Sequence, residues 1–209
     1  MARVKGAELI AEFLIKEKIP YVFGVCGHGN VGMLDALYDV RDEITLVSPR
    51  HEQVAGHMAD AYFRVKHAPA ATLTSCGPGS ANLVMALAVA LSDSSAFLAI
   101  TGNVPTSQFN RGPFQEINRH NQADFPNVVR PVVKHGFQPS RVDMLPLALR
   151  QAATTMLSGR PGPVNLDVPF NLFQEEAEAT LDGPPTGGHN ARRSGASPED
   201  VAQALDMMV

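Results

Sequence analysis

The chain is short of the features that mark nucleic-acid, membrane and disulfide-bonded proteins. Its 17 basic residues are outnumbered by 21 acidic ones, for a net charge of −4, and they are scattered rather than clustered. Without a basic stripe or a polybasic patch, nucleic acid and a membrane surface are disfavoured as partners. Cysteine occurs only twice, at Cys26 and Cys76, too few for a disulfide scaffold. No charged-then-apolar leader follows Met1, and the longest apolar run, residues 83–91, falls far short of the roughly 20 residues that cross a bilayer. These shortages give the expectation of a soluble, cytoplasmic protein. Two kinds of catalytic centre are missing as well. No G-x-S-x-G follows a candidate strand, so there is no nucleophile elbow. His51 and His57, six apart on one helix, point about 240° around from each other, and the seven histidines form no metal-ligand cluster.

What is present is an alternation of helices and strands. The 209 residues suffice for one sizeable α/β domain plus an appendage and are short for two domains. Leu9, Ile10, Phe13 and Leu14 have helical spacing, and Ile19-Pro20 ends that pattern, so a helix is expected over 4–18, before any strand. Short apolar strands are expected at 21–25, 44–47, 71–75, 97–101, 132–137 and 164–168. Helices are expected at 31–40, from Pro49 (with Glu52 in the first turn) to about residue 65, at 82–91 and at 142–157. The 82–91 helix is apolar nearly all round and should therefore be buried. Such spacing implies an α/β fold, a doubly wound, mostly parallel six-stranded sheet with helices on both faces. Residues 1–181 form that domain. Residues 182–196, rich in Gly, Pro, Arg and Ser, read as a linker. At 197–209 a new helix starts in good order, with Ser197 as cap, Pro198 first, and Glu199 and Asp200 in the first turn. Its stripe of Val201, Leu205 and Met208 has no domain to pack on, so the chain is expected to be the front of a longer protein, with 197–209 opening a missing central domain.

Open parallel sheets bind ligands at the carboxyl ends of their strands, and four such ends are loaded: residues 26–30, 48–52, 76–82 and 102–116. Ser48 is a good N-cap and Pro49 a good first helical residue, which places Glu52 in a first turn, where the helix dipole favours an anion. Judged locally, Glu52 is a dipole-complementing surface charge. Gly27-His28-Gly29-Asn30-Val31-Gly32 matches G-x-G-x-x-G between a strand and a helix, with Glu52 20 residues beyond Gly32. That makes a nicotinamide-dependent oxidoreductase domain an alternative, although a helix precedes the first strand and the acid lies past Pro49. Cys76 or Cys26 as a nucleophile with His28 as base competes with the plainer reading of cysteine as a small buried hydrophobe. The 102–121 loop is long and polar, and loops of that length are more often functional than accidental.

Five blocks make the pattern specific: HEQVAGHMADAYFRV (51–65), TSCGPGSANLVMALAVALSDS (74–94), AITGNVP (99–105), PFQE (113–116) and SGRPGPVNLDVP (158–169). In this order they resemble the N-terminal pyrimidine-binding (PYR) domain of the thiamine diphosphate-dependent family that includes acetolactate synthase and benzaldehyde lyase. The resemblance implies a lyase or carboligase acting on a small 2-oxo acid or acyl donor. It implies that Glu52 hydrogen-bonds N1′ of the aminopyrimidine and promotes the tautomer that takes the proton from C2 of the thiazolium. It places Gly27, Gly77, Pro78, Gly79 and Asn82 along the pyrimidine, and Phe114 and Gln115 on a loop reaching the substrate side, with Gln115 among the catalytic residues. Residues 161–168 match a structural segment. In this family the diphosphate and its Mg²⁺ are held by a separate C-terminal domain with a Gly-Asp-Gly…Asn motif, which this chain lacks, so the chain alone should be inactive. FAD is possible in such a family but is not indicated by any residue here. A homodimer or homotetramer is implied, since the family builds its site between two chains; a non-catalytic split subunit is a further alternative. One stretch departs from the pattern. Acetolactate synthases show Pro-Gly-Gly where this chain has Cys26-Gly27-His28-Gly29-Asn30, closer to the histidine-bearing loop of benzaldehyde lyase. His28, with Asn30 beside it, is thereby a candidate acid/base or hydrogen-bond donor to a substrate oxygen.

Overall fold

Apolar strands separated by helical stretches fold into two layers of helices around one sheet, and a computed structural model describes residues 3–109, 124–183 and 195–208. In chain order the elements are β1 (Arg3–Lys5), α1 (Gly6–Lys16), β2 (Tyr21–Gly24), α2 (Val31–Asp39), β3 (Thr45–Val47), α3 (Glu52–Lys66), β4 (Ala71–Thr74), α4 (Pro78–Ala81), α5 (Val84–Ser92), β5 (Leu98–Asn103), α6 (Phe125–Val129), β6 (Gly136–Phe137), α7 (Leu145–Leu157), β7 (Val164–Pro169), α8 (Asn171–Gln174), β8 (Glu176–Glu178) and α9 (Pro198–Met208). Six strands form one sheet in the order β3-β2-β4-β5-β7-β6, every neighbouring pair parallel. The doubly wound fold expected from the strand–helix alternation is the fold observed.

Alternation along the strands divides the core in two. Val22, Leu73, Leu98, Ile100, Leu166 and Val168 face a layer containing Leu9, Leu14, Met33, Leu37 and Leu149 from α1, α2 and α7. Phe23, Phe97 and Ala99 face the other way, onto Ala55, Ala59, Leu83, Leu87 and Phe125 from α3, α5 and the start of α6. Because both faces are covered, β5 and β7 are buried along their whole length, which is why parallel strands read as apolar runs. The second layer is tight. A Cβ on Gly56 of α3 would collide with Ala86 Cβ of α5 and stand 2.7 Å from Cδ1 of Leu83, the residue before that helix. Gly56→Ala is therefore expected to force the two helices apart and cost about 1–3 kcal/mol of overpacking, more than the roughly 1 kcal/mol that Ala gains over Gly in a helix. A melting temperature lowered by several degrees in a thermal scan would show it; an unchanged or higher value would mean that α5 shifts freely.

The structure corrects several sequence expectations. A strand, not a helix, comes first: β1 pairs antiparallel with β8, Arg3 opposite Glu178 and Lys5 opposite Glu176. Each partner is only three residues long, too short to show a period. The expected strand at 132–137 shrinks to Gly136–Phe137, because Phe125–Val129 and Arg130–Val132 are helical turns, each with a proline in its first turn. The Glu52 helix starts later than Ser48-Pro49 suggested. His51 is its N-cap, extended at φ −156° and ψ 142°, with its ring accepting from Gln53 N. The 82–91 helix begins at Val84, and although Leu83, Ala86, Leu87 and Ala90 are buried, Met85 is 58% exposed. At α9, Ser197 Oγ does accept from Asp200 N at 3.0 Å, and no residue of that helix is buried.

Candidate active site at the carboxyl edge of the sheet

The chain leaves β2 outward to β3 and then returns to β4 on the other side of β2, so the loops after β2 and β4 diverge from neighbouring strands. Such a switch point opens a crevice at the carboxyl edge of the sheet. Glu52 is brought to this edge as the first residue of α3, directly after the turn that leaves β3. The residue is half-buried. Asn82 Nδ2, from the segment joining α4 to α5, donates to Glu52 Oε2 at 3.0 Å. The other oxygen, Oε1, lies 3.3 Å from where a Cβ on Gly79 would stand. Glu52, Gly79 and Asn82, picked out separately in the sequence, thus meet in space. Gly77 makes the geometry of that turn available: its φ of 60° with ψ of −115° is a conformation open to glycine and strained for other residues. Pro78 follows as the first residue of α4 and is exposed.

The β2 loop closes onto the same turn. Gly27 N donates to Asn30 Oδ1 at 3.0 Å, and Asn30 Nδ2 donates to Val25 O at 2.9 Å. Asn30 is fully buried, so it clamps its own loop from within rather than standing at the loop's surface. Gly29 N donates to Ser75 Oγ at 3.1 Å, tying the β2 and β4 loops together. His28 is exposed, with Nε2 3.3 Å from Cys76 Sγ and its ring edge-on to Phe170 at 6.0 Å. The glycines of the 27–32 turn meet protein rather than open space. Cβ atoms on Gly27, Gly29 and Gly32 would fall 2.5 Å from Ser75 Cβ, 3.0 Å from Cys76 N and 2.9 Å from Phe173 Cβ. Phe114 and Gln115 lie outside the described residues.

Comparison with known proteins gives the family. Residues 4–124 match the family model for the thiamine pyrophosphate enzyme, N-terminal TPP binding domain. The chain belongs to that family. It is 36% identical over 84% of its length to a probable acetolactate synthase large subunit from Methanocaldococcus jannaschii, of which it covers 28%. It is 35% identical over 99% of its length to an acetolactate synthase from Arthrospira platensis, covering 35% of it. Against the mitochondrial acetolactate synthase catalytic subunit of Saccharomyces cerevisiae it is 33% identical over 96% of its length, covering 29%. The chain thus spans roughly a third or less of the length of these curated relatives.

A carboxyl group beside a turn whose glycines carry no side chains fits a flat, nitrogen-bearing cofactor ring, and this edge of the sheet offers both. Glu52 supplies the carboxyl group with one oxygen oriented by Asn82, while Gly77 and Gly79 keep side chains off the facing turn. Among the described residues no cluster of three His, Cys, Asp or Glu is placed to hold a metal ion. No helix among them is long and apolar enough to cross a membrane.

Beyond these residues the same sheet edge holds a polar network that the sequence reading assigned only to structure. Asp167 of β7 is fully buried and takes hydrogen bonds from Thr101 Oγ1 at 2.7 Å, Asn103 Nδ2 at 2.5 Å and Gln138 Nε2 at 2.7 Å. Burial pushes its carboxyl group up to about 6 against the three donors that pull it down, with Asp124 adding to the rise. Asn103 Oδ1 in turn accepts from Val104 N at 2.7 Å, where the chain leaves β5. The available signal was an aspartate inside the otherwise apolar run VNLDVP.

Proposed function

We propose that this chain is the cofactor-activating part of a thiamine diphosphate-dependent lyase or carboligase acting on a 2-oxo acid or acyl donor. The observation that carries the reading is the Glu52 carboxyl group at the switch point, held by Asn82 and faced by the Gly77-Pro78-Gly79 turn. When bound, thiamine diphosphate supplies the acidic carbon and the electron sink that such carbonyl chemistry requires. Glu52 holds a proton on Oε1, opposite the oxygen engaged by Asn82, and shares it with a ring nitrogen. Asn82 fixes the carboxyl orientation, and the helix start aims it across the edge of the sheet. Gly77 and Gly79 let the backbone approach a flat ring. His28, held at the same edge, donates to a substrate oxygen or exchanges a proton with it.

The names of the three relatives above, each an acetolactate synthase, support carboligation; the histidine loop at 26–30 sets this chain's own substrate apart from theirs. Mg²⁺ and the diphosphate are assigned to protein outside this chain, since no Gly-Asp-Gly motif occurs in it. A homodimer or homotetramer is the expected assembly, and Val54 and Met85, 47% and 58% exposed on α3 and α5, are apolar surface suited to it. A nicotinamide site at 27–32 is less well supported, because Ser75, Cys76 and Phe173 occupy the space beside those glycines. The purified 209-residue chain is expected to bind thiamine diphosphate weakly and to turn nothing over. Decarboxylation of a 2-oxo acid by this chain alone would refute the division of labour proposed here.

A further inference from the structure

We infer that Cys76 is a positioning residue for His28: its thiol donates to His28 Nε2 and so fixes the imidazole as the tautomer carrying its proton on Nδ1. The inference rests on the reading of His28 as the group that meets a substrate oxygen. Cys76 is 1% exposed whereas His28 is exposed, so the sulfur lies behind the ring, 3.3 Å from Nε2. At that depth it is an inert thiol toward substrates, and what it can do is orient. A thiol is weak both as donor and as acceptor, but buried and neutral it keeps its proton, and the imidazole lone pair 3.3 Å away is a good acceptor for it. The partner of one ring nitrogen then decides where the proton of the other resides.

The surroundings are shaped for this contact. A Cβ on Gly29 would stand 3.1 Å from Cys76 Sγ and 3.0 Å from Cys76 N, so the turn closes down on the thiol only because that residue is glycine. Gly29 N is tied to Ser75 Oγ, the residue before Cys76, which fixes the register of the two loops. Asn30 locks the far side of the turn through Gly27 N and Val25 O. Phe170 meets the ring at an interplanar angle of 85°, restricting its rotation. Backbone and ring plane are thus constrained by these contacts, and the sulfur at Nε2 acts on the tautomer.

Histidine-labelled chain, with the His28 ring nitrogen and Cδ2 resonances recorded at about pH 8, well above the ordinary imidazole range, tests this. The wild type is expected to show the Nδ1–H signature, Cys76→Ala to lose it to a mixture of tautomers, and Cys76→Ser, whose hydroxyl also donates, to keep it. A wild-type spectrum of the Nε2–H form overturns the proposal even where Cys76→Ala fails to fold, and an Nδ1–H signature unchanged in Cys76→Ala overturns it equally. The reading of His28 itself is checked separately by His28→Ala in the whole enzyme. Turnover lost with cofactor affinity retained supports that reading; unchanged turnover removes the substrate role while the ring spectra still decide the Cys76 contact.

Discussion

Glu52→Gln in the whole enzyme is expected to slow hydrogen exchange at C2 of bound thiamine diphosphate by about 10²- to 10⁴-fold, the range that a positioned general acid or base contributes. The geometry makes this a clean substitution. Glutamine keeps the length of the side chain and one oxygen, so the contact from Asn82 Nδ2, 3.0 Å in the wild type, is retained. The Gly79 side, where Oε1 lies 3.3 Å from an added Cβ, receives an amide of nearly the same size. What is lost is the capacity to give and take a proton. Cofactor affinity and thermal stability should therefore change little while exchange and turnover fall together. Asp at this position would test reach instead, since it withdraws the carboxyl group by one methylene from a helix start that does not move. NMR-monitored exchange at C2 decides the matter: a rate equal to wild type would remove Glu52 from the activation step and return it to the role of a helix-start charge.

Much of this arrangement could be read from the chain because the sheet is parallel. Each strand of a parallel sheet delivers its following loop to the same edge, so motifs far apart in sequence converge once the alternation is recognised. That is how Glu52, Gly79 and Asn82 could be grouped before their contacts were seen. Less legible was whatever depends on which strands are neighbours. His28 meets Cys76 because β2 lies beside β4, an adjacency that follows from the sheet order rather than from any local pattern. The β1–β8 ribbon joins segments more than 170 residues apart in three-residue pieces, for example through Arg3 and Glu176. The start of α3 was misplaced because Ser48-Pro49 is a good cap signal in isolation, whereas His51 Nδ1 accepts from Gln53 N at 3.2 Å and does that work three residues later. At 132–137 a strand was expected too long: Val132 and Val133 are apolar, but the helical turns before them, with Pro126 and Pro131 where the missing N–H is tolerated, run to Val132 and leave only Gly136–Phe137 as strand. Asn30, expected beside His28 on the substrate side, has its side chain buried and bonded to its own loop, a contact that no local pattern in a glycine-rich turn announces.

Asp167→Asn and Asp167→Leu are expected to move stability in opposite ways, because the wild-type carboxyl group sits at a conflict between burial and hydrogen bonding. It is fully buried, with donors from Thr101, Asn103 and Gln138, and burial wins, raising it to about 6 from an ordinary 3.8. A group raised in the fold contributes its stability below the unfolded value and loses it as pH climbs through the folded one. Between about pH 4 and pH 6 to 7 the wild type should therefore lose roughly 3 kcal/mol from this site, two units at 1.36 kcal/mol each. Asparagine does not titrate. Its oxygen can accept from Asn103 and Gln138 and its amide can turn to Thr101, so Asp167→Asn should remove the slope and leave a variant at least as stable as wild type at neutral pH. Leucine supplies no acceptor at all. Two buried donors, from Thr101 and Asn103, then lose this acceptor at about 1–3 kcal/mol each, a large part of a typical domain's stability. The network also reaches the loop that leaves β5, because Asn103 bridges Asp167 to Val104 N, so Asp167→Leu should expose that segment to proteolysis first. Urea unfolding of wild type and Asp167→Asn at pH 4, 5, 6 and 7 measures the difference directly. A gap that stays constant across the series would mean that Asp167 keeps one protonation state throughout, with its donors outweighing its burial.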